Sequence, residues 1–552
     1  MNGDGDIPPP LPANWNRCHA YNARKRRYCR QMPIPLTSVE QCSTANSSQP
    51  RYCGNHRHLM TLEDSLSSNE AKRQRTDGAD GDKKKKDRGK RVPCPIDPSH
   101  FIYESSIAKH VLICPAVKLQ QEVKNQEYYS EGINLGGHGQ LSSNSIESES
   151  SINDKIDMKE AKKLALAVLR VFHHVFLSSN ICKNVDGSYN TPSIEQLQSI
   201  TDNDIYSALE EVDLSKFEEN NSEDGKVGRL TEAIAKHNIR AGGPRHLHQI
   251  ASILGHIRQN GMISSETSSS SPLVIEMGAG RGMTGLVVSG AMGSSLKQAG
   301  SLAKVNLCIV ERAGTRGKAE TRIRNTEKNK YSDDDLMRLD NVDVIRVKCD
   351  LAHVDMSKAI PSKMKYESSR KVYIAKHLCG AGTDLAIKSM KSLSSPIDGC
   401  FMATCCHGLC AWSEYLGRDS FIQLFTSVGG LTSFGEKEFN LMKRWTAASV
   451  LEERKESAEP DRDNELQEEH KDNTTEEEKG RYPNIFKVVT DMGLSCGGAL
   501  LARACQRLID YGRCEYMRKN IFSSSESYKI ELKHYVSRDV TPQNALIIAS
   551  RR

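Results

Sequence analysis

"PLVIEMGAGRG", residues 272–282, is an apolar run carrying one carboxylate, Glu276, and closing on alternate glycines, Gly278, Gly280 and Gly282. A short apolar run bounded by glycines reads as a buried strand followed by a tight turn. Such a turn lets a ligand lie against backbone where any Cβ would clash. Four more runs of strand length follow: "KVNLCIVERA" (304–313), "VDVIRVKCDL" (342–351), "KVYIAKHLCG" (371–380) and "GCFMATCCHG" (399–408). The segments between them are long enough for helices. Strand–helix alternation predicts an α/β domain over 265–552, with a parallel sheet and helices on both faces. "YKIELKHYV" (528–536) and "NALIIAS" (544–550) read as a closing antiparallel pair.

The glycine spacing is G-x-G-x-G, not the G-x-G-x-x-G that cradles a dinucleotide pyrophosphate. A ligand without phosphate suits it better. S-adenosylmethionine has a cationic sulfonium and an amino acid end. Glu276 ends the first strand, Glu311 ends the second where a carboxylate can bind both ribose hydroxyls, and Asp350 follows the third where it can accept from an adenine amino group. Three strand-end carboxylates above one crevice, with close glycine backbone, predict S-adenosylmethionine as cofactor.

Open α/β sheets bind ligands beyond the carboxyl ends of their strands. There "KHLCGAGTDL" (376–385) offers Lys376, His377, Cys379 and Asp384, and "CCHGLCAW" (405–412) offers Cys405, Cys406, His407, Cys410 and Trp412. Lys376 is assigned to orient or deprotonate a nucleophile, Asp384 to support it or the substrate, and His407 as reserve base. Adjacent Cys405 and Cys406 are awkward for a tetrahedral metal, so the cysteines are read as a wall beside the substrate.

The remainder of the 552 residues is polar in character, with 26% charged residues and a mean hydropathy of -0.55. No apolar run is long enough for a membrane span, and "MNGDGDIPPPLPANW" lacks a signal-peptide core. An intracellular protein with reduced thiols is expected for the 17 cysteines. "CPIDPSHFIYESSIAKHVLIC" (94–114) has the spacing C-x5-H-x9-H-x3-C. His110 and Cys114 lie four residues apart, on one face of a helix, and join Cys94 and His100 as a tetrahedral zinc set. A segment this short has no core of its own, so metal supplies its stability. A looser cluster, Cys18, Cys29, Cys53 and His56, reads as a second zinc site, with Cys42 a possible substitute. The order expected is a CCCH finger (1–60), a basic linker (61–90), a CHHC knuckle (91–117), a flexible linker (118–156), a helical segment (157–264) and the α/β domain. That domain carries an acidic insertion at 451–480. In the helical segment, 158–176 has helical periodicity, and 227–261 reads as two helices broken at Gly242-Gly243-Pro244. The basic "KRQR" (72–75) and "KKKKDRGKR" (83–91) suit phosphate backbones or nuclear import, the alternative being a solvated linker.

Taken together, these motifs resemble the eukaryotic tRNA 2′-O-methyltransferase family that acts on nucleotide four of the acceptor stem. The resemblance covers nearly the whole chain. It rests on both zinc motifs, "YYSEGINLG" (128–136), "HLHQIASILGHI" (246–257), "GAGRG", "KHLCG", "CCH", "CQRLIDYGRCEYM" (505–517) and "YVSRDVTPQNALIIA" (535–549). It implies a Rossmann-like domain, methyl transfer to a ribose 2′-hydroxyl, and glycine, histidine and proline tRNAs as substrates, with no membrane or obligate protein partner. The sequence departs from the family pattern at Gly408, where a second histidine is usual, at Glu311, where aspartate is common, and at Gly382, where alanine is usual. Two rival readings are a non-catalytic RNA-binding protein on a disabled methyltransferase fold and a protein methyltransferase.

Overall fold

The computed structural model describes residues 21–22, 27–28, 90–96, 101–136, 156–177, 196–197, 244–263, 271–314, 319–324, 337–366, 368, 370–393, 396–448, 483–494, 497–522, 527–538 and 540–552. Cys18, Cys29, Cys53, His56, His100, the first of the two helices expected in 227–261 and the acidic insertion lie outside them.

Near the N-terminus β1 (Tyr21–Asn22) pairs antiparallel with β2 (Arg27–Tyr28). A second two-stranded sheet joins β3 (Arg91–Pro93) to β4 (Phe101–Tyr103). The Arg91 guanidinium donates to the Phe101 carbonyl at 3.0 Å and lies 5.7 Å from the Tyr103 ring centroid.

The remaining strands form one seven-stranded sheet. They are β5 (Leu273–Met277), β6 (Val305–Val310), β7 (Val342–Val347), β8 (Lys371–Cys379), β9 (Gly399–Cys405), β10 (Tyr528–His534) and β11 (Ala545–Arg551). Their order across the sheet is β10-β11-β9-β8-β5-β6-β7. Pairings from β7 through β9 are parallel, and β11 and β10 close the sheet antiparallel, as the sequence pattern predicts. The chain lays β6 and β7 on one side of β5, then returns to lay β8 and β9 on the other. The order therefore reverses between β5 and β8, the place where α/β sheets open a ligand crevice.

Alternation along each strand divides the core. Val274, Leu307, Val372, Ile374 and Phe401 pack on one face against helices Pro244–Gln259 and Met283–Gln298. Ile275, Cys308, Tyr373, Cys400 and Met402 pack on the other face, with Ile387, Met390 and Met517. Both faces are covered, which explains why the strands read as unbroken apolar runs. A third cluster joins helix Met158–Phe172 to the long helix Gly497–Asn520. The Asp157 side chain accepts from Glu160 N at 2.7 Å, and Glu160 accepts from Asp157 N, a capping box that fixes the start of the first helix. Pro244 opens its helix where the sequence places the break.

Part of the stretch expected as a linker is instead structured. Helix Pro115–Lys124 follows the knuckle directly. Residues 128–136 then dock on the turn after β7. Asn134 Nδ2 donates to the carbonyls of Leu351 (2.7 Å) and Val354 (2.8 Å), and Ser130 N donates to His353 O at 2.8 Å. Gly/Ser content further on suggested a loose chain, but "YYSEGINLG" has tyrosines and an asparagine to anchor it. Among the described residues no helix is long and apolar enough to cross a membrane.

Candidate functional site

Glu311 bonds to the glycine turn, Glu276 to the helix that follows it, and Asp350 to the turn after β7 and to Arg312 beside Glu311. Glu276 is buried, and its Oε2 accepts from Gly285 N at 2.9 Å, in the first turn of helix Met283–Gln298. Burial pushes its carboxyl up to about 7, against the pull of that backbone bond, Thr284, Lys376 and Arg346. Glu311 Oε2 accepts from Gly280 N and its Oε1 from Ala313 N, both at 2.7 Å. An ionised carboxylate has about four acceptor sites, so two such bonds leave capacity for ribose hydroxyls. Asp350 Oδ1 accepts from Ala352 N at 3.0 Å, and Oδ2 pairs with Arg312 at 3.1 Å.

Gly278, Gly280 and Gly282 all adopt the left-handed conformation, with φ of 57°, 52° and 79°. They do so for different reasons. A Cβ on Gly278 would meet Leu378 Cδ2 at 2.2 Å, and one on Gly282 would meet Ile309 Cδ1 at 2.6 Å. Those two glycines let the turn pack. A Cβ on Gly280 would meet nothing within 4 Å, so this position faces open space. Of the three, Gly280 is the one with room for a ligand. Arg346, which the sequence reading passed over, holds the turn from below. Its Nη1 donates to Gly280 O at 3.0 Å while its Nη2 pairs with Glu320 at 3.0 Å. The signal was a lone arginine inside an apolar strand.

Lys376 lies on β8, three residues before the strand's end. Its Nζ lies 3.0 Å from Nδ1 of His246, on helix Pro244–Gln259. Burial lowers the lysine to about 8, with Glu276 opposing. Burial and then Lys376 lower His246 in turn, so the imidazole is neutral at neutral pH. His246 was quoted within a motif but given no role. Only the fold brings residues 130 positions apart together.

Asp384 and His407 are not in the crevice. Both are buried in a network around Arg513, itself fully buried. Asp384 pairs with Arg513 Nη2 at 2.6 Å and accepts from Leu416 N at 3.2 Å. His407 engages both ring nitrogens, Nε2 with Asp510 at 2.9 Å and Nδ1 with Gln543 at 3.2 Å. Burial works against the charge on Asp510, but His407, Arg513 and Thr404 outweigh it and hold the carboxyl down to about 2. A base must reach its proton, and neither side chain is exposed to one. Both residues brace the ends of β8 and β9. Gly408 is exposed, and a Cβ there would make ordinary contact with Lys443 O at 3.5 Å and Thr446 Oγ1 at 3.7 Å, neither of them a member of this network. A Cβ on Gly382 would make ordinary contact with Leu378 at 3.7 Å, so alanine fits equally well.

In the knuckle, Cys94, His110 and Cys114 place their ligand atoms within 4.8 Å of one another. The two sulfurs are 3.9 Å apart and both cysteines are buried. With Zn–S near 2.3 Å, a tetrahedral edge is about 3.8 Å, so the donor set fits zinc.

Comparison with known proteins agrees with this geometry. The family model described as Methyltransferase TRM13 matches residues 248–550, and that of the U11-48K-like CHHC zinc finger matches 91–115. The chain is 24% identical to the Homo sapiens "tRNA:m(4)X modification enzyme TRM13 homolog", over 98% of this chain and 95% of the relative. It is 22% identical to the Yarrowia lipolytica protein named "tRNA:m(4)X modification enzyme TRM13", over 100% and 96%, and 22% to that of Saccharomyces cerevisiae, over 93% and 94%.

Proposed function

The chain belongs to the methyltransferase TRM13 family, and from that premise we propose that it methylates the ribose 2′-hydroxyl of nucleotide 4 in the tRNA acceptor stem. It is an S-adenosylmethionine-dependent tRNA methyltransferase with a zinc-binding knuckle. We further propose a Rossmann-like methyltransferase topology, a CCCH finger at Cys18, Cys29, Cys53 and His56, glycine, histidine and proline tRNAs as substrates, and a nuclear or cytoplasmic site of action. The relatives' name, with its position 4, agrees with the nucleotide.

One observation carries the mechanism: Lys376 lies at the strand-order reversal, lowered to about 8 by burial and held by His246 at 3.0 Å. S-adenosylmethionine, when bound, supplies an electrophilic methyl group. Glu311 and Asp350 would hold its ribose and adenine, and the open side of Gly280 its amino acid end. A ribose hydroxyl is a poor nucleophile, and correct placement is worth roughly 7–11 kcal/mol, more than the about 10²–10⁴-fold of a base. The neutral imidazole of His246 accepts an N–H of Lys376, which aims the amine's lone pair at the hydroxyl. Nζ would take the hydroxyl proton as the oxygen accepts the methyl group and the methyl–sulfur bond breaks, leaving a neutral thioether. A-form RNA displays 2′-hydroxyls in a shallow groove and hides base edges, so one nucleotide is selected by shape and by a second grip. The knuckle and basic linker are that grip.

Ribose-methylation mapping of tRNA incubated with purified protein and S-adenosylmethionine tests this reading. Label at nucleotide 4 is expected. Label on a base, or in protein alone, would overturn it.

A further inference from the structure

Cys379, at the end of β8, and Cys405 and Cys406, at and just beyond the end of β9, bring their sulfurs within 4.8 Å of one another. We propose that these three cysteines form an additional thiolate site for zinc, with one coordination position open, in the methyltransferase domain itself.

The backbone supports this. In an extended strand neighbouring side chains point to opposite faces, so Cys405 and Cys406 should diverge. They do not, because Cys406 leaves the strand in the left-handed conformation at φ 52°. On the partner strand the register slips between Lys376 and Leu378, and His377 takes φ 64° at the slip. The extra residue sets Cys379 directly opposite Cys405. Among the described residues His377 and Cys406 are the only non-glycine residues with positive φ. Both departures serve to converge the same three thiols. Unfavourable backbone conformations of this kind gather at ligand clamps.

The spacing is that of a metal site. Cys379 and Cys405 sulfurs are 3.8 Å apart, against 3.9 Å for Cys94 and Cys114 in the CHHC knuckle. Both match the edge of about 3.8 Å for tetrahedral zinc thiolates. Cys405 is buried, Cys406 half-buried and Cys379 exposed, so the ion has an entry path and a side open to a fourth ligand. Three thiolates without histidine favour a soft or borderline cation over magnesium or calcium. A bound ion would tie the end of β8 to the end of β9, three residues beyond Lys376. The proposal goes beyond the assigned reaction and does not depend on which RNA is methylated.

The experiment counts metal in full-length protein purified with zinc present, comparing wild type with Cys379→Ser and Cys405→Ser by mass spectrometry of bound metal. Each variant should lose one zinc per chain, while Cys94→Ser loses a different one and the combination loses both. Cobalt substitution gives a second readout: thiolate-to-cobalt absorption should fall in Cys379→Ser although S-adenosylmethionine still binds. Cys379 is exposed, so its serine variant keeps the result interpretable if the Cys405 variant misfolds. Equal zinc content and cobalt spectrum in wild type and Cys379→Ser would overturn the site. So would a Cys379–Cys405 disulfide in protein purified without reductant and with no loss of zinc on mutation.

Discussion

Lys376 and His246 meet at 3.0 Å, one on a strand and the other in the first turns of a helix. Burial lowers both, and Lys376 lowers His246 further while Glu276 opposes the shift of the lysine. A base acts in its neutral form. With the lysine near 8, its neutral fraction grows about tenfold between pH 7 and pH 9, and turnover should follow. Single-turnover rates at saturating tRNA and S-adenosylmethionine measure this. Lys376→Ala should bind both and lose the pH-dependent limb of the rate, a transition-state loss. Normal turnover in that variant would remove Lys376 from the mechanism.

Gly280 faces open space in the left-handed conformation, so Gly280→Val both strains the turn and fills that space. Calorimetric titration should show no S-adenosylmethionine binding. Asp350→Ala should weaken binding by about 1–3 kcal/mol through a lost hydrogen bond. Wild-type affinity in both would move the cofactor elsewhere.

Arg513→Met leaves Asp384 and Asp510 buried opposite an apolar side chain. Breaking a buried pair in this way costs about 3–5 kcal/mol, seen as a lower denaturant midpoint. Acid should act on the same network. Asp510 lies at about 2 folded, and a free aspartate lies at about 3.9. Its stabilisation is therefore present above pH 4 and lost as pH falls toward 2. Asp510→Asn should flatten that acid limb.

Cys114→Ala should release the knuckle's zinc and unfold 91–114 locally. The sheet has its own core, so S-adenosylmethionine affinity should hold while tRNA binding and methylation fall. Recovery of the rate at saturating tRNA would identify a pure grip. A persistent deficit would show that the knuckle also sets which ribose reaches Lys376.

The sheet was legible because its inner strands β5, β6 and β9 are buried along their whole length and read as bounded apolar runs. The carboxylates were legible because strand ends and glycines punctuate the sequence. Pairings across long separations were not. Nothing local in "TDL" says that Asp384 meets Arg513, 129 residues on, and nothing local in "CCH" says that His407 meets Asp510. Side chains at strand ends looked reactive, yet the long helix Gly497–Asn520 passes beneath two of them and takes them into the core. The cysteine geometry was hidden for a related reason. It depends on a bulge and a left-handed residue, and neither has a composition signature.

Cys114 ends one helix and immediately precedes the next, Pro115–Lys124, after which the chain is fastened at Tyr128 to Asn134. A ten-residue helix spans about 15 Å and advances about 100° per residue. The metal ligand thus hangs from the sheet on a strut with a defined phase as well as a defined length. One inserted residue would turn Cys114 about the helix axis by more than a quarter of a circle and lengthen the strut by only about 1.5 Å. Insertion of a whole turn would restore the aim and shift the reach by about 5.4 Å. Selectivity along the RNA would then respond to insertions periodically, with losses at off-phase lengths and a displaced product at the next in-phase one.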